Sequence, residues 1–87
     1  MRYRIAIKRS AQKEIASLPK RQQRRVMAAI AALALVPRPA SARKLVGADA
    51  AYRIRVGDYR VVYQIMNRVL IVLVVRVRHR KDVYRRL

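Results

Sequence analysis

The 87-residue chain carries 22 Lys and Arg against 4 Asp and Glu, a formal net charge of +18, on a length that fits one domain (1–87) burying about 60% of its unfolded surface. With no cysteine and one histidine it has neither a disulfide framework nor a thiolate metal site, zinc is disfavoured, no cofactor is expected, and a cytoplasmic setting is allowed. Glu14, Asp49, Asp58 and Asp82 cannot neutralise the excess internally, and such a field draws polyanions: nucleic acid, an anionic membrane or an acidic protein.

Tyr3, Ile5 and Ile7 alternate with Arg2, Arg4, Ala6 and Lys8, the period of a strand with one face on a core. Ser10 is the expected N-cap of a short helix whose apolar positions are Ala11, Ile15 and Leu18, ended by Leu18-Pro19 because the residue before proline avoids the helical region. A second helix follows, with Val26, Ile30 and Leu33 as its stripe and Pro37-Arg38-Pro39 as its stop, so the two helices form a hairpin. Its eleven apolar residues, Val26 to Val36, fall well short of the roughly 20 that a membrane span needs, and no membrane partner is expected.

Beyond a loop over Ala40–Ala51, three strands are expected: Tyr52–Val56, Tyr59–Met66 and Val69–Arg78. Gly57-Asp58 reads as a two-residue hairpin turn pairing Val56 with Tyr59 and Arg55 with Arg60. Arg53, Arg55 and Arg60 then share one face, while Tyr52, Ile54, Val56, Tyr59, Val61 and Tyr63 share the other, which is the core. A three-residue turn near Met66-Asn67-Arg68, with Asn67 or its neighbour left-handed, brings Arg76 and Arg78 round to the arginine face; a two-residue turn would send them towards the helices, where burial of charge is costly. The run Val69–Val75 is apolar on both faces and belongs mid-sheet. The expected fold is α+β: an N-terminal strand, a helical hairpin, a three-stranded antiparallel meander, and a short C-terminal helix or tail. The sheet has about four strands, both helices lie on one face, and the basic side chains line the other.

That order, together with Leu18-Pro19-Lys20, Pro37-Arg38-Pro39, Lys44-Leu45-Val46-Gly47, the run Tyr52 to Tyr63 and His79-Arg80-Lys81-Asp82-Val83-Tyr84, resembles the RelE/ParE toxin superfamily, and within it the RelE-type toxins. The resemblance spans essentially the whole chain. It implies the toxin of a type II toxin–antitoxin system, an endoribonuclease that enters the ribosomal A site, cuts mRNA and is silenced by a cognate antitoxin. By position it implies that Arg53, Arg55, Arg60, Arg78 and Tyr84 face RNA. Arginines stand on the second strand where the best-known members carry lysines, which leaves the general base open. ParE-type relatives share the scaffold and attack DNA gyrase instead, usually without the terminal Tyr and the full arginine set.

RNA cleavage without metal uses the 2′-hydroxyl as internal nucleophile and passes through a phosphorane with extra negative charge. Guanidinium groups suit that task, since they bind phosphate oxygens in bidentate fashion and stabilise developing charge. Arg60 and Arg78 are the expected transition-state clamps and Arg53 and Arg55 the positioning pair. Lys44, Arg76 and Arg80 are expected on the RNA backbone. Arginine is too weak an acid to serve as base, so His79, Lys81, Lys44 and Tyr84 are the acid–base candidates, with Tyr84 alternatively stacking on an unpaired base. The charge also calls for an acidic antitoxin that covers the basic face or adds a strand or helix to the sheet, giving a hetero-oligomer. Two other readings compete: a gyrase-binding inhibitor, and a catalytically inert nucleic-acid binder held by counterion release.

Overall fold

The computed structural model describes residues 2–47 and 50–81. Its elements are β1 (Arg4–Ile7), α1 (Arg9–Ala16), α2 (Lys20–Ala32), β2 (Arg43–Lys44), β3 (Ala51–Val56), β4 (Tyr59–Met66) and β5 (Ile71–His79), and the strands form one sheet in the order β1-β5-β4-β3-β2. The α+β arrangement of strand, helical hairpin and antiparallel meander is the expected one, with a fifth strand added. Two residues of the expected loop, Arg43 and Lys44, pair antiparallel with Arg53 and Tyr52, and a strand that short carries no periodicity to read. The short C-terminal helix or tail, including Tyr84, lies outside the described residues.

β1 pairs parallel with β5, Arg4 with Ile71 through Ile7 with Val74. This explains the unbroken apolar run of β5: it has a strand on either side and is half-buried or buried along that length. Ala11 and Ile15 of α1 and Val26 and Ile30 of α2 pack with Leu33 on one face of the sheet. They meet Ile54, Val56, Val61, Tyr63, Ile65, Val72, Val74 and Val77 in a core with no buried charged side chain among the described residues. No described helix is long and apolar enough to cross a membrane.

Both helices differ at their ends from the sequence expectation. α1 starts at Arg9 with Lys8 as N-cap and no side-chain cap, so Ser10 lies inside the first turn; the chain leaves β1 at Ile7 and turns directly into helix, two residues too early for Ser10 to cap it. α2 stops at Ala32, short of Pro37, because the amides of Leu33, Ala34 and Leu35 turn to the carbonyls three residues back. The Ala34 carbonyl then accepts the Tyr3 N–H at 2.7 Å, tying the helix end to the entry of β1.

Gly57, at φ +59, takes the first position of the β3–β4 turn, where two-residue hairpins favour glycine. A Cβ there would lie 3.1 Å from Nη1 of Arg25, the movable end of a long side chain. Gly57→Ala is therefore expected to cost about 1 kcal/mol, nearly all of it from the left-handed backbone. The melting temperature should fall by roughly 4–8 °C, and Arg25→Ala in the same background should not restore it.

Candidate functional site

The β3–β4 hairpin has the expected register, Val56 with Tyr59 and Arg55 with Arg60, so Arg53, Arg55 and Arg60 share the face away from the helices. A structure separating these three would have removed the candidate site. The β4–β5 hairpin reaches the expected arrangement by a different route. Met66 pairs with Ile71, leaving a loop over 67–70 with Leu70, rather than Asn67, in the left-handed region at φ 54. A loop of that even length would by itself turn Arg76 and Arg78 towards the helices. A register shift between Val62 and Tyr63 corrects it: Tyr63 opposes Val74 but Val62 opposes Arg76, so Val75 is the extra residue of a bulge. Arg78 consequently pairs with Arg60 and Val77 turns into the core.

Two rows of side chains cross the sheet as a result. One is Arg55–Arg60–Arg78; the other is Arg43–Arg53–Val62–Arg76. Directly opposed residues stand about 5 Å apart at Cβ, so the first row sets three arginine side chains on one face of adjacent strands. Arg55 is exposed, whereas Arg53, Arg60 and Arg78 are half-buried. Arg43 is the member of this face that the sequence did not reveal.

Other candidates stand elsewhere. Lys44 opposes Tyr52 and so belongs to the helix side of the sheet's far edge, about 14 Å from β5 at the usual strand spacing; Arg43 occupies the arginine-face position instead. His79 opposes Tyr59, its ring edge-on to the Tyr59 ring at 5.3 Å, so the alternation of the strand puts it on the opposite face from Arg78. Its Nδ1 accepts the Lys81 N–H at 3.2 Å, which leaves Nε2 to carry the proton of the neutral ring. Arg80 is exposed just past β5, its N–H donating to the Asp58 carbonyl at 2.8 Å. Lys81 is exposed too.

A cleft of about 350 Å³ opens between α1 and the end of the sheet, with Glu14, Leu18, Tyr59, Arg78 and His79 among its walls. Glu14 is its anionic member and was not singled out in the sequence. Its Oε1 accepts the Val77 N–H at 2.8 Å, and its Oε2 accepts Arg78 Nε at 3.1 Å and lies 3.6 Å from Arg76 Nη1. The signal was present: an acid flanking the apolar stripe of Ala11, Ile15 and Leu18 in a chain with only four acids. Among the described residues no group of His, Cys, Asp and Glu is placed to hold a metal ion.

Known proteins share this architecture. The profile of the family described as "ParE toxin of type II toxin-antitoxin system, parDE" matches residues 5–84. The chain belongs to this toxin family. The toxin's fold is similar to that in the archaeal RelE–RelB complex from Pyrococcus horikoshii, at 32% identity over 92% of this chain and 97% of that one, with a TM-score of 0.82. It is similar also to a mutant of E. coli toxin RelE in the free state (26% identity, 98% and 93% coverage, TM-score 0.80) and to the intact E. coli RelBE toxin–antitoxin complex (26%, 86% and 93%, 0.77). No curated protein matches the toxin by sequence. Family and neighbours together place it in the RelE/ParE superfamily of type II toxins.

Proposed function

We propose that this toxin is a metal-independent endoribonuclease that cuts mRNA at the ribosome in the cytoplasm. The observation that carries the proposal is the row Arg55–Arg60–Arg78, with Arg78 half-buried and oriented by a carboxylate. Attack of a 2′-hydroxyl, which gives its proton to a general base, on the adjacent phosphorus forms a 2′,3′-cyclic phosphate and expels the 5′-oxygen, which takes a proton from a general acid. The charge gathered on the phosphorane falls where Arg60 and Arg78 supply fixed cations. Arg53, Arg55 and Arg76 lie along the same face to hold flanking phosphates, with Arg80 beside its end. Lys81 and Tyr84 follow β5 in sequence and are the acid–base groups of this proposal. Lys44 and His79, on the other side of the sheet, are not assigned to it.

The partner is an acidic antitoxin, in line with the toxin–antitoxin complexes formed by the P. horikoshii and E. coli proteins and with the charge of +18. A second reading has its own support, since the matching family is described by its ParE members: inhibition of DNA gyrase through the same scaffold. One experiment separates the two. Purified toxin is added to translating ribosomes, with mRNA 5′ ends mapped, and in parallel to gyrase with relaxed plasmid. Cuts within the codon in the A site are the expected result; intact mRNA with blocked supercoiling would put the gyrase reading in its place.

A further inference from the structure

We propose that Glu14 is a positioning residue which holds the Arg78 guanidinium by its Nε–H and presents the remaining Nη1/Nη2 edge to the RNA phosphate. The inference rests on the ribonuclease reading above. β1 ends its pairing at Ile7 with Val74, and the Lys8 N–H closes on the Val74 carbonyl at 2.8 Å. Beyond that point β5 has no strand on that side, and α1 lies against it, delivering Glu14. One carboxylate oxygen takes the Val77 N–H at 2.8 Å; the other takes Arg78 Nε at 3.1 Å, with Arg76 Nη1 at 3.6 Å. The carboxylate is anchored to backbone before it touches either arginine, so it acts as a fixed post. Its side chain is 24% exposed and that of Arg78 23%, against 44% for Arg76, so Arg78 is the more firmly held of the two.

A guanidinium binds phosphate by two edges, Nε with one Nη or the two Nη together. With Nε committed to Glu14, the terminal edge is the one left for substrate. The negative charge does a second thing. Arg60 stands directly opposite Arg78, and without a counter-charge the two cations would drive each other towards solvent. Glu14 offsets that repulsion from the Arg78 end of the row.

The decisive variant is Glu14→Gln. The amide oxygen still accepts the Val77 N–H, while the amide nitrogen cannot accept from Arg78 Nε, so the backbone anchor survives and the tie is cut. Single-turnover cleavage should fall about tenfold, the worth of one hydrogen bond to a charged group. Affinity for RNA should hold or tighten, because a negative charge has left the surface; a merely structural role would weaken binding and melting together. In the Arg78→Ala background Glu14→Gln should cost nothing further, since two residues acting through one another are not additive. A wild-type rate in Glu14→Gln, or an equal loss in both backgrounds, overturns the inference while leaving the ribonuclease reading standing. Nitrogen-15 NMR of the arginine Nε–H groups judges the tie without activity. Slow solvent exchange at Arg78, lost in Glu14→Gln, is expected. Exchange as fast as at the exposed Arg55 overturns the inference, including when the wild type cleaves no RNA and the ribonuclease reading has itself failed.

Discussion

Arg78→Ala is expected to reduce single-turnover RNA cleavage about 100-fold or more, with affinity for the ribosome little changed. The reason is where its charge is needed. In the proposed reaction a ground-state phosphate diester carries one negative charge, which Arg53, Arg55, Arg60 and Arg76 on the same face would also meet; the phosphorane carries more, and would gather it at the row that Arg78 ends. Removing a fixed donor aimed at developing charge costs rate rather than binding, by about 10²–10³ in well-studied cases. Lysine should not rescue it, since an ammonium has no second edge to give and no Nε–H for Glu14 to hold. His79→Gln, on the opposite face against Tyr59, should leave the rate near wild type. Growth inhibition that survives both Arg60→Ala and Arg78→Ala would discard the ribonuclease reading in favour of gyrase.

The largest effect on stability is expected at Tyr63. This side chain of β4 is fully buried, its ring stacks on Tyr52 of β3, and its hydroxyl donates to the Pro37 carbonyl at 2.7 Å, binding the stretch after α2 to the sheet. Tyr63→Ala removes a whole aromatic ring from the core, at about 3–5 kcal/mol, against a total of about 5–15 for a typical domain. At roughly 4–8 °C per kcal/mol the melting temperature should fall by more than 12 °C. Tyr63→Phe keeps the ring and should cost about 1 kcal/mol, for the lost bond and the carbonyl left behind. Burial raises the Tyr63 phenol from 10.0 to about 12, with the neighbouring Tyr52 adding to the effect and Arg38 opposing it. The folded state therefore keeps this proton where the unfolded chain has released it. Tyr63's contribution is complete below pH 10 and is lost as the pH rises towards 12. Melts on either side of pH 10 should show the decline in wild type and a shallower one in Tyr63→Phe.

Much of this was legible in the residues because periodicity and turn chemistry agree. Gly57-Asp58 sets the β3–β4 register, and the register sorts arginines from tyrosines. The double-sided apolar run of β5 announced a central strand. What escaped was of two kinds. β2 has two residues, and a pairing that short leaves no pattern, so Arg43 is hidden and Lys44 stands in the sequence as a loop residue expected on the RNA backbone. The sequence favours a three-residue turn before β5 because only an odd loop puts Arg78 on that face without a bulge. The physical demand was right, that cations stay out of the core, but the chain meets it at Val75 rather than at Asn67. Nothing local marks Val75, since the bulge is settled by what the rest of the strand must bury. Glu14 illustrates a third limit: its neighbours on β5 are brought to it by tertiary packing alone.

The parallel pairing of β1 with β5 also has a consequence in time. β5 is the last of the five strands to be synthesised, yet it lies between β1 and β4, so the first strand must wait for the last before the sheet can close. Such long-range closure is slow relative to the local β3–β4 hairpin. A partly made chain can hold Arg53, Arg55 and Arg60 in register, but Arg76, Arg78 and their hold on Glu14 arrive only when β5 docks. The arginine face is thus completed in one late step of folding, when β5 docks between its two neighbours.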